Sequence, residues 1–196
     1  MDSRSIHHFK QDIRINITLR GFPLTFYSTW GLFSPREIDE GSALLIDNVE
    51  VASSDKLLDI GCGWGVIGLT LAKLASQGKV HLIDKDYVAI DYAKKNARIN
   101  HIDNCEIYLS NGFSNVPDVQ FDTIVSNLPA KVGKELFWII LHDAKTHLRP
   151  GGKLYVVTIS GLKEFIKRNF KEIIGNYEKV AQNKTYSVFL ARNTSP

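Results

Sequence analysis

The stretch "LLDIGCGWGVIG", residues 57–68, constrains the fold of this chain more than any other. An apolar run ends on an acid, spaced glycines follow, and "VIGLTLAKLAS" then continues with helical spacing. A strand that enters a helix through such a turn is the repeating unit of a parallel α/β sheet. The chain around it alternates accordingly. "KLLDI", "KVHLID", "CEIYLS", "FDTIVSN" and "KLYVVTIS" read as strands. Residues 66–76, 87–100, 133–148 and 162–174 read as helices. Ala89, Ala93 and Ala97 share one helix face, and Leu136, Ile140, Ala144 and Leu148 share another. Arg149-Pro-Gly-Gly is expected to stop the fourth helix before the next strand. "IRINITL" and "FPLTFYS" form a hairpin turning at Arg20-Gly21, residues 36–49 a short helix, and "YEKVAQNKTYSVFLA" a terminal hairpin. The expected organisation is a tail and hairpin over residues 1–30, with residues 1–10 loose, followed by one α/β domain over 31–196.

Ligands of such sheets bind beyond the carboxyl ends of the strands. Asp59, Asp84 and Asn127 all fall at such ends. From Gly63 the turn fits the dinucleotide fingerprint G-x-G-x-x-G. Asp59 argues against that frame, because a carboxylate beside a helix N-terminus repels pyrophosphate. It suits a cationic amine next to a carboxylate, as at the methionine end of S-adenosylmethionine. Its plain structural role would be to bond backbone N–H groups of the turn. Asp84, 21 positions after Gly63, can accept from ribose hydroxyls in either frame. "SNLPAKVGKE" closes the strand "FDTIV", and a dehydrogenase gives no reason for Asn-Leu-Pro there. An amino-methylating enzyme does. Two acceptors, the Asn127 side-chain oxygen and the Leu128 carbonyl, can take both N–H bonds of an amino group and aim its lone pair. Alignment of that kind supplies about 7–11 kcal/mol of barrier reduction. The bland alternative is a strand-closing turn shaped by Pro129.

From about residue 24 to 191 the chain resembles the class I S-adenosylmethionine-dependent methyltransferases. Within them it is similar to the small-domain group related to the ribosomal RNA guanine-N2 enzymes. The resemblance is carried by "GLFSPREIDEGSALLIDNV", "LLDIGCGWGVIGLTLA", "HLIDKD", "FDTIVSNLPAKVGKE" and "HLRPGGKLYVV", in the family's order. It implies a Rossmann-like, seven-stranded, mostly parallel sheet with helices on both faces and an antiparallel C-terminal strand. It also implies that Asp59, Gly61 and Gly63 line the methionine and ribose part of S-adenosyl-L-methionine. Asp84 would hold the ribose and Lys85 would flank the adenine. Asn111 and Gly112 stand where relatives commonly carry an acid that contacts the adenine amino group. The catalytic motif would be Asn127, Leu128 and Pro129. Two departures matter: Leu128 replaces the family's first proline, and Ala130 replaces an aromatic that stacks on the target base, worth about 1–3 kcal/mol. Phe33, Trp30 or Trp64 could supply a ring instead, although packing is the plainer role for each.

Composition narrows the partners without naming one. Residues 1–36 hold five Lys/Arg against two acids and residues 161–196 seven against three, whereas 37–160 hold twelve against sixteen. Basic ends around an acidic centre suit a polyanion, or an ordinary solvated surface. No apolar run approaches the roughly 18 residues of a membrane span. The polar start is unlike a secretory signal. Cys62 and Cys105 are the only cysteines, which fits a reducing cytoplasmic setting. His7 and His8 lie in a polar tail and His142 and His147 are five apart and off-face, so neither pair makes a metal site without added ligands. The basic-faced helix at 162–174 reads as cover for the sheet rather than a membrane-surface helix.

The expected activity is methyl transfer to an amino nitrogen, in RNA (rRNA or tRNA) on the resemblance. An accessible loop or a partner protein would help to present the base. The rivals are the same chemistry on a small molecule or protein side chain, a silent cofactor-binding module, and a nicotinamide dehydrogenase. Oligomeric state stays open.

Overall fold

The computed structural model describes residues 11–128 and 133–194. Leu57 and Leu58 show how the sheet is built. They are neighbours on β3 (Lys56–Ile60), both fully buried, yet they enter different hydrophobic clusters. Successive side chains point to opposite faces, so a strand apolar at every position must be covered twice. β4 (Lys79–Asp84), β6 (Phe121–Asn127) and β7 (Leu148–Ile159) are likewise buried along most of their lengths. β5 (Cys105–Leu109), at one edge, is only partly buried.

The sheet has seven strands in the order β5-β4-β3-β6-β7-β9-β8, with β8 spanning Glu178–Gln182 and β9 Tyr186–Arg192. β5 through β7 pair in parallel, and β9 runs antiparallel between β7 and β8. The chain moves outward from β3 to β5 and then returns to lay β6 on the other side of β3. The carboxyl ends of β3 and β6 therefore face the switch in strand order, where this architecture opens a crevice.

One face is covered by α1 (Glu40–Asn48), α2 (Val66–Leu74) and α3 (Tyr87–Ile99). Ala89, Ala93 and Ala97 are all buried on α3, as their spacing predicts. The other face is covered by α4 (Lys134–His147) and α5 (Lys163–Asn169), the latter extended by a π turn over Phe170–Ile174. Ile166, Phe170, Ile173 and Ile174 are buried there, so this basic-faced segment covers the sheet.

The hairpin of β1 (Ile13–Leu19) and β2 (Phe22–Ser28) forms a second, two-stranded sheet. Arg20 (φ 49°) and Gly21 (φ 85°) make its turn with two positive φ values, matching the twist of the strands. Leu24 and Phe26 join the core beneath α3.

Two boundaries differ from the sequence reading. Arg36 to Ile38 are not helical, and α1 starts only after Asp39, whose Oδ2 accepts from the Ser42 N–H at 3.0 Å. Upstream, Ser34 (φ 45°) bends the chain, and the Ser28 hydroxyl donates to the Pro35 carbonyl. β7 begins at Leu148 and includes Arg149-Pro-Gly-Gly, because Leu148 pairs with Phe121 across an irregular register. The Asn193 amide donates to the Leu148 carbonyl at 2.7 Å, satisfying a group that the interrupted ladder leaves open. The expected looseness of residues 1–10 lies outside the described residues.

Candidate active site

A cavity of about 380 Å³ opens above the carboxyl ends of the strands. Its wall includes Gly61, Gly63, Asp84, Lys85, Asn111, Gly112, Asn127 and Leu128. Sequence segments more than 60 residues apart thus meet at one place, as the strand order requires. Pro129 and Ala130 lie outside the described residues.

The glycine turn is fastened from beneath and bare on top. The Gly61 and Cys62 N–H groups both donate to the Ile83 carbonyl at 2.9 Å, and Gly63 N–H donates to Asp84 Oδ2 at 2.9 Å. Gly61 (φ 71°) and Gly63 (φ 54°) have a backbone that L side chains rarely adopt, and a Cβ at either would meet nothing within 4 Å. That open space is where a ligand can approach the backbone.

Asp84 Oδ1 also accepts from Asp86 N–H at 3.0 Å. Its carboxylate fixes the turn and still carries lone pairs for ribose hydroxyls. At the far end of the cavity, Ser110 Oγ donates to the Gly112 carbonyl at 2.7 Å, folding the loop so that Asn111 and Gly112 face the cavity.

Asp59 is placed differently from the other predicted cofactor residues. It is 1% exposed, beneath the turn. Its Oδ2 accepts from Gly68 N–H at 2.8 Å, the structural role weighed for it above. Its Oδ1 is buried with no partner among the described residues. Burial pushes its carboxyl up to about 7, with the Asp84 charge adding to the rise and the Gly68 N–H opposing it. An orphaned acidic oxygen under an open glycine turn fits a ligand with a cationic amine and fits a pyrophosphate poorly. Asp59 does not itself line the cavity, but the donor set as a whole fits S-adenosylmethionine: a buried acid beneath the turn, a bare turn, an acceptor for ribose at Asp84, and a neutral acceptor at Asn111. Cys62 also lines the cavity, but burial pushes its thiol well above the ordinary range, so it is no nucleophile.

Asn127 ends β6 at the cavity wall. Its Nδ2 donates to Asp39 Oδ2 at 2.8 Å and to Ser42 Oγ at 2.9 Å. Leu128 N–H donates to the Val157 carbonyl at 2.9 Å, holding the motif against β7. The sequence reading missed Asp39 and Ser42. The available signal was an Asp ahead of "EGSALL", an N-cap pattern that an earlier helix start obscured.

Two of the three candidate rings, Phe33 and Trp64, line the cavity. Trp64 is 4% exposed and donates from Nε1 to the Phe33 carbonyl at 3.0 Å. Trp30 carries the Arg36 guanidinium 4.4 Å from its ring centre. Phe33 is 63% exposed and lines the cavity. Among the described residues there is no cluster of three or more His, Cys, Asp or Glu that could hold a metal. Nor is any described helix long and apolar enough to cross a membrane.

The chain is similar to several known proteins. A Bacillus subtilis protein, YbxB, of uncharacterised function, is 36% identical over 178 residues, which is 89% of this chain and 88% of that protein. The Haemophilus influenzae ribosomal RNA small subunit methyltransferase C is 30% identical over 204 residues, covering 96% of this chain and 60% of the relative. In three dimensions, a T. thermophilus 16S rRNA N2 G1207 methyltransferase in complex with AdoMet and guanosine superposes with a TM-score of 0.84 at 24% identity. That match covers 93% of this chain and 50% of the other, so this chain spans half to three fifths of those two rRNA enzymes. The family described as methyltransferase small domain matches residues 23–190, and the chain belongs to that family.

Proposed function

We propose that this chain is the methyl-transferring unit of an S-adenosylmethionine-dependent enzyme acting on an amino nitrogen of a base in rRNA or tRNA, in the cytoplasm. One observation carries the reading: Asn127 lines the same cavity as the glycine turn while both of its amide N–H bonds point away, into Asp39 and Ser42. The carbonyl end is left as an acceptor. Relatives named as rRNA methyltransferases, and the N2 enzyme solved with guanosine, support RNA and an amino group as the target.

S-adenosylmethionine, when bound, supplies a methyl on a sulfonium whose sulfur leaves as a neutral thioether. The residues of this chain do the rest by placement. The glycine turn, Asp84, Lys85 and Asn111 would hold the donor, with Asp59 buried beneath the turn. An exocyclic amino group is a poor nucleophile because its lone pair is delocalised into the ring. Asn127 Oδ1 and the Leu128 carbonyl would each accept one N–H of it and so aim its lone pair. The nitrogen gains the methyl and a positive charge, and then gives up one of its two protons to water. The negative end of the Asn127 amide stabilises that charge as it develops.

The test follows tritium from methyl-labelled S-adenosylmethionine into RNA, protein and small-molecule fractions of a cell extract, with wild type and Asn127→Ala in parallel. Label in RNA that the variant loses is the expected result. Label in another fraction discards the RNA reading and keeps the chemistry. Cofactor binding without label anywhere makes the chain a silent module.

A further inference from the structure

Asn127 is aimed by a group of residues from outside its own motif. Asp39 sits at the N-terminus of α1, where its Oδ2 accepts from Asn127 Nδ2 at 2.8 Å and from Ser42 N–H at 3.0 Å. Its Oδ1 accepts from the Tyr186 hydroxyl at 2.8 Å, across 147 positions of sequence. Tyr186 is fixed in turn, since its N–H donates to Asn183 Oδ1 at 2.7 Å. Gly41 makes the approach possible. A Cβ there would stand 2.8 Å from the Tyr186 ring and 2.9 Å from Asp39 Oδ2. Asp39, Gly41 and Ser42 therefore act together: one takes the amide, one admits the tyrosine, and one takes the second amide N–H.

An amide is planar, and its nitrogen and oxygen point apart. A carboxylate accepts hydrogen bonds and donates none, so a flipped Asn127 would press its oxygen against Asp39. The flipped state is repelled and the observed one is bonded twice. The bond to Asp39 raises the Tyr186 hydroxyl to about 12, so that hydroxyl stays a donor. We infer that Asp39, anchored by Tyr186, is the positioning residue that turns the Asn127 carbonyl toward the methyl-accepting nitrogen. The inference rests on the function proposed above.

Asp39→Asn and Tyr186→Phe test it with two independent readouts. The first is methyl transfer under single turnover, with cofactor affinity and thermal midpoint measured alongside. Asp39→Asn keeps the shape and an N-cap oxygen but lets Asn127 adopt either orientation. Its transfer rate is expected to fall about 10²-fold, the cost of a misplaced reacting group. KM and Kd for S-adenosylmethionine stay within about threefold, a split that a merely structural role does not produce. Tyr186→Phe shows the same pattern, weaker. The second readout is solvent exchange of the Asn127 side-chain NH2 by NMR, slow in wild type and faster in both variants. This one needs no turnover. A wild type with no transfer but a protected NH2 defeats the function proposed above and leaves the orientation standing. A wild-type rate in Asp39→Asn overturns the inference, as does an unprotected NH2 in an active wild type. So does a rate loss that merely follows lost stability or cofactor affinity.

Discussion

Asp59 is a carboxyl placed where a carboxylate is costly. Its pKa rises from 3.8 to about 7 on folding, chiefly through burial. Between those values the folded chain holds a proton that the unfolded chain has lost, so this group makes the free fold less stable as pH rises. Asp59→Asn removes the titration and keeps an oxygen for Gly68. Thermal unfolding should show the variant level with wild type near pH 4 and ahead above pH 7, by about 1–4 kcal/mol. A cationic amine over Asp59 favours its ionised form, so cofactor binding to wild type should release a proton near neutral pH. Calorimetry in buffers of different ionisation enthalpy would detect that release, and the variant should bind more weakly and release none. Matching pH profiles for the two proteins would dissociate Asp59 from the amine. Phe33 belongs to the same scale. Its exposed ring on the cavity wall can supply a stacking surface for a base. On the proposed RNA function, Phe33→Ala should raise KM for RNA by the equivalent of about 1–3 kcal/mol with kcat nearly held, and Phe33→Trp should restore it.

At the scale of elements, α2 lies so close to β4 that one glycine sets the spacing. A Cβ on Gly68 would stand 2.5 Å from Leu82 Cγ and 2.9 Å from Asp59 Oδ2. Gly68→Ala should cost about 1–3 kcal/mol in urea unfolding with an unchanged m-value, as overpacking does. It should also weaken cofactor binding, because the Gly68 N–H that holds Asp59 moves with the helix. The glycine motif was legible in sequence because its spacing states a local geometry. α1 was legible in kind but misplaced at its start. Arg36-Glu37-Ile38 suits a helix, and nothing local shows that a bend at Ser34 and a bond from Ser28 hold the preceding chain. β7 was shortened for a similar reason. Pro150, Gly151 and Gly152 read as a break, but Asn193, brought in by β9, bonds across it. Each miss lies where a residue outside the local run satisfies a backbone group that the sequence alone leaves open.

The whole molecule shows the same division. Strand alternation located Gly61, Gly63, Asp84, Asn111 and Asn127 at strand ends, and the sheet order brings them to one cavity. Tyr186 could not be read that way, because its link to Asp39 depends on β9 lying beside β7. The N-terminal hairpin is tied in by a comparable long-range device. Asn96, fully buried on α3, accepts from Tyr27 N–H at 2.7 Å and donates to the carbonyls of Tyr27 and Trp64 at 2.9 and 2.8 Å. One side chain thus joins the hairpin, the third helix and the glycine turn. Asn96→Ala leaves those backbone groups unpaired, at about 1–3 kcal/mol for each one that stays buried. If the hairpin braces the cofactor turn, hydrogen exchange should quicken at Tyr27 and at Gly63 and Gly65 together, and cofactor affinity should fall with it. Faster exchange at Tyr27 alone, with binding unchanged, would make the hairpin an appendage and leave the turn supported by β4 through Ile83 and Asp84.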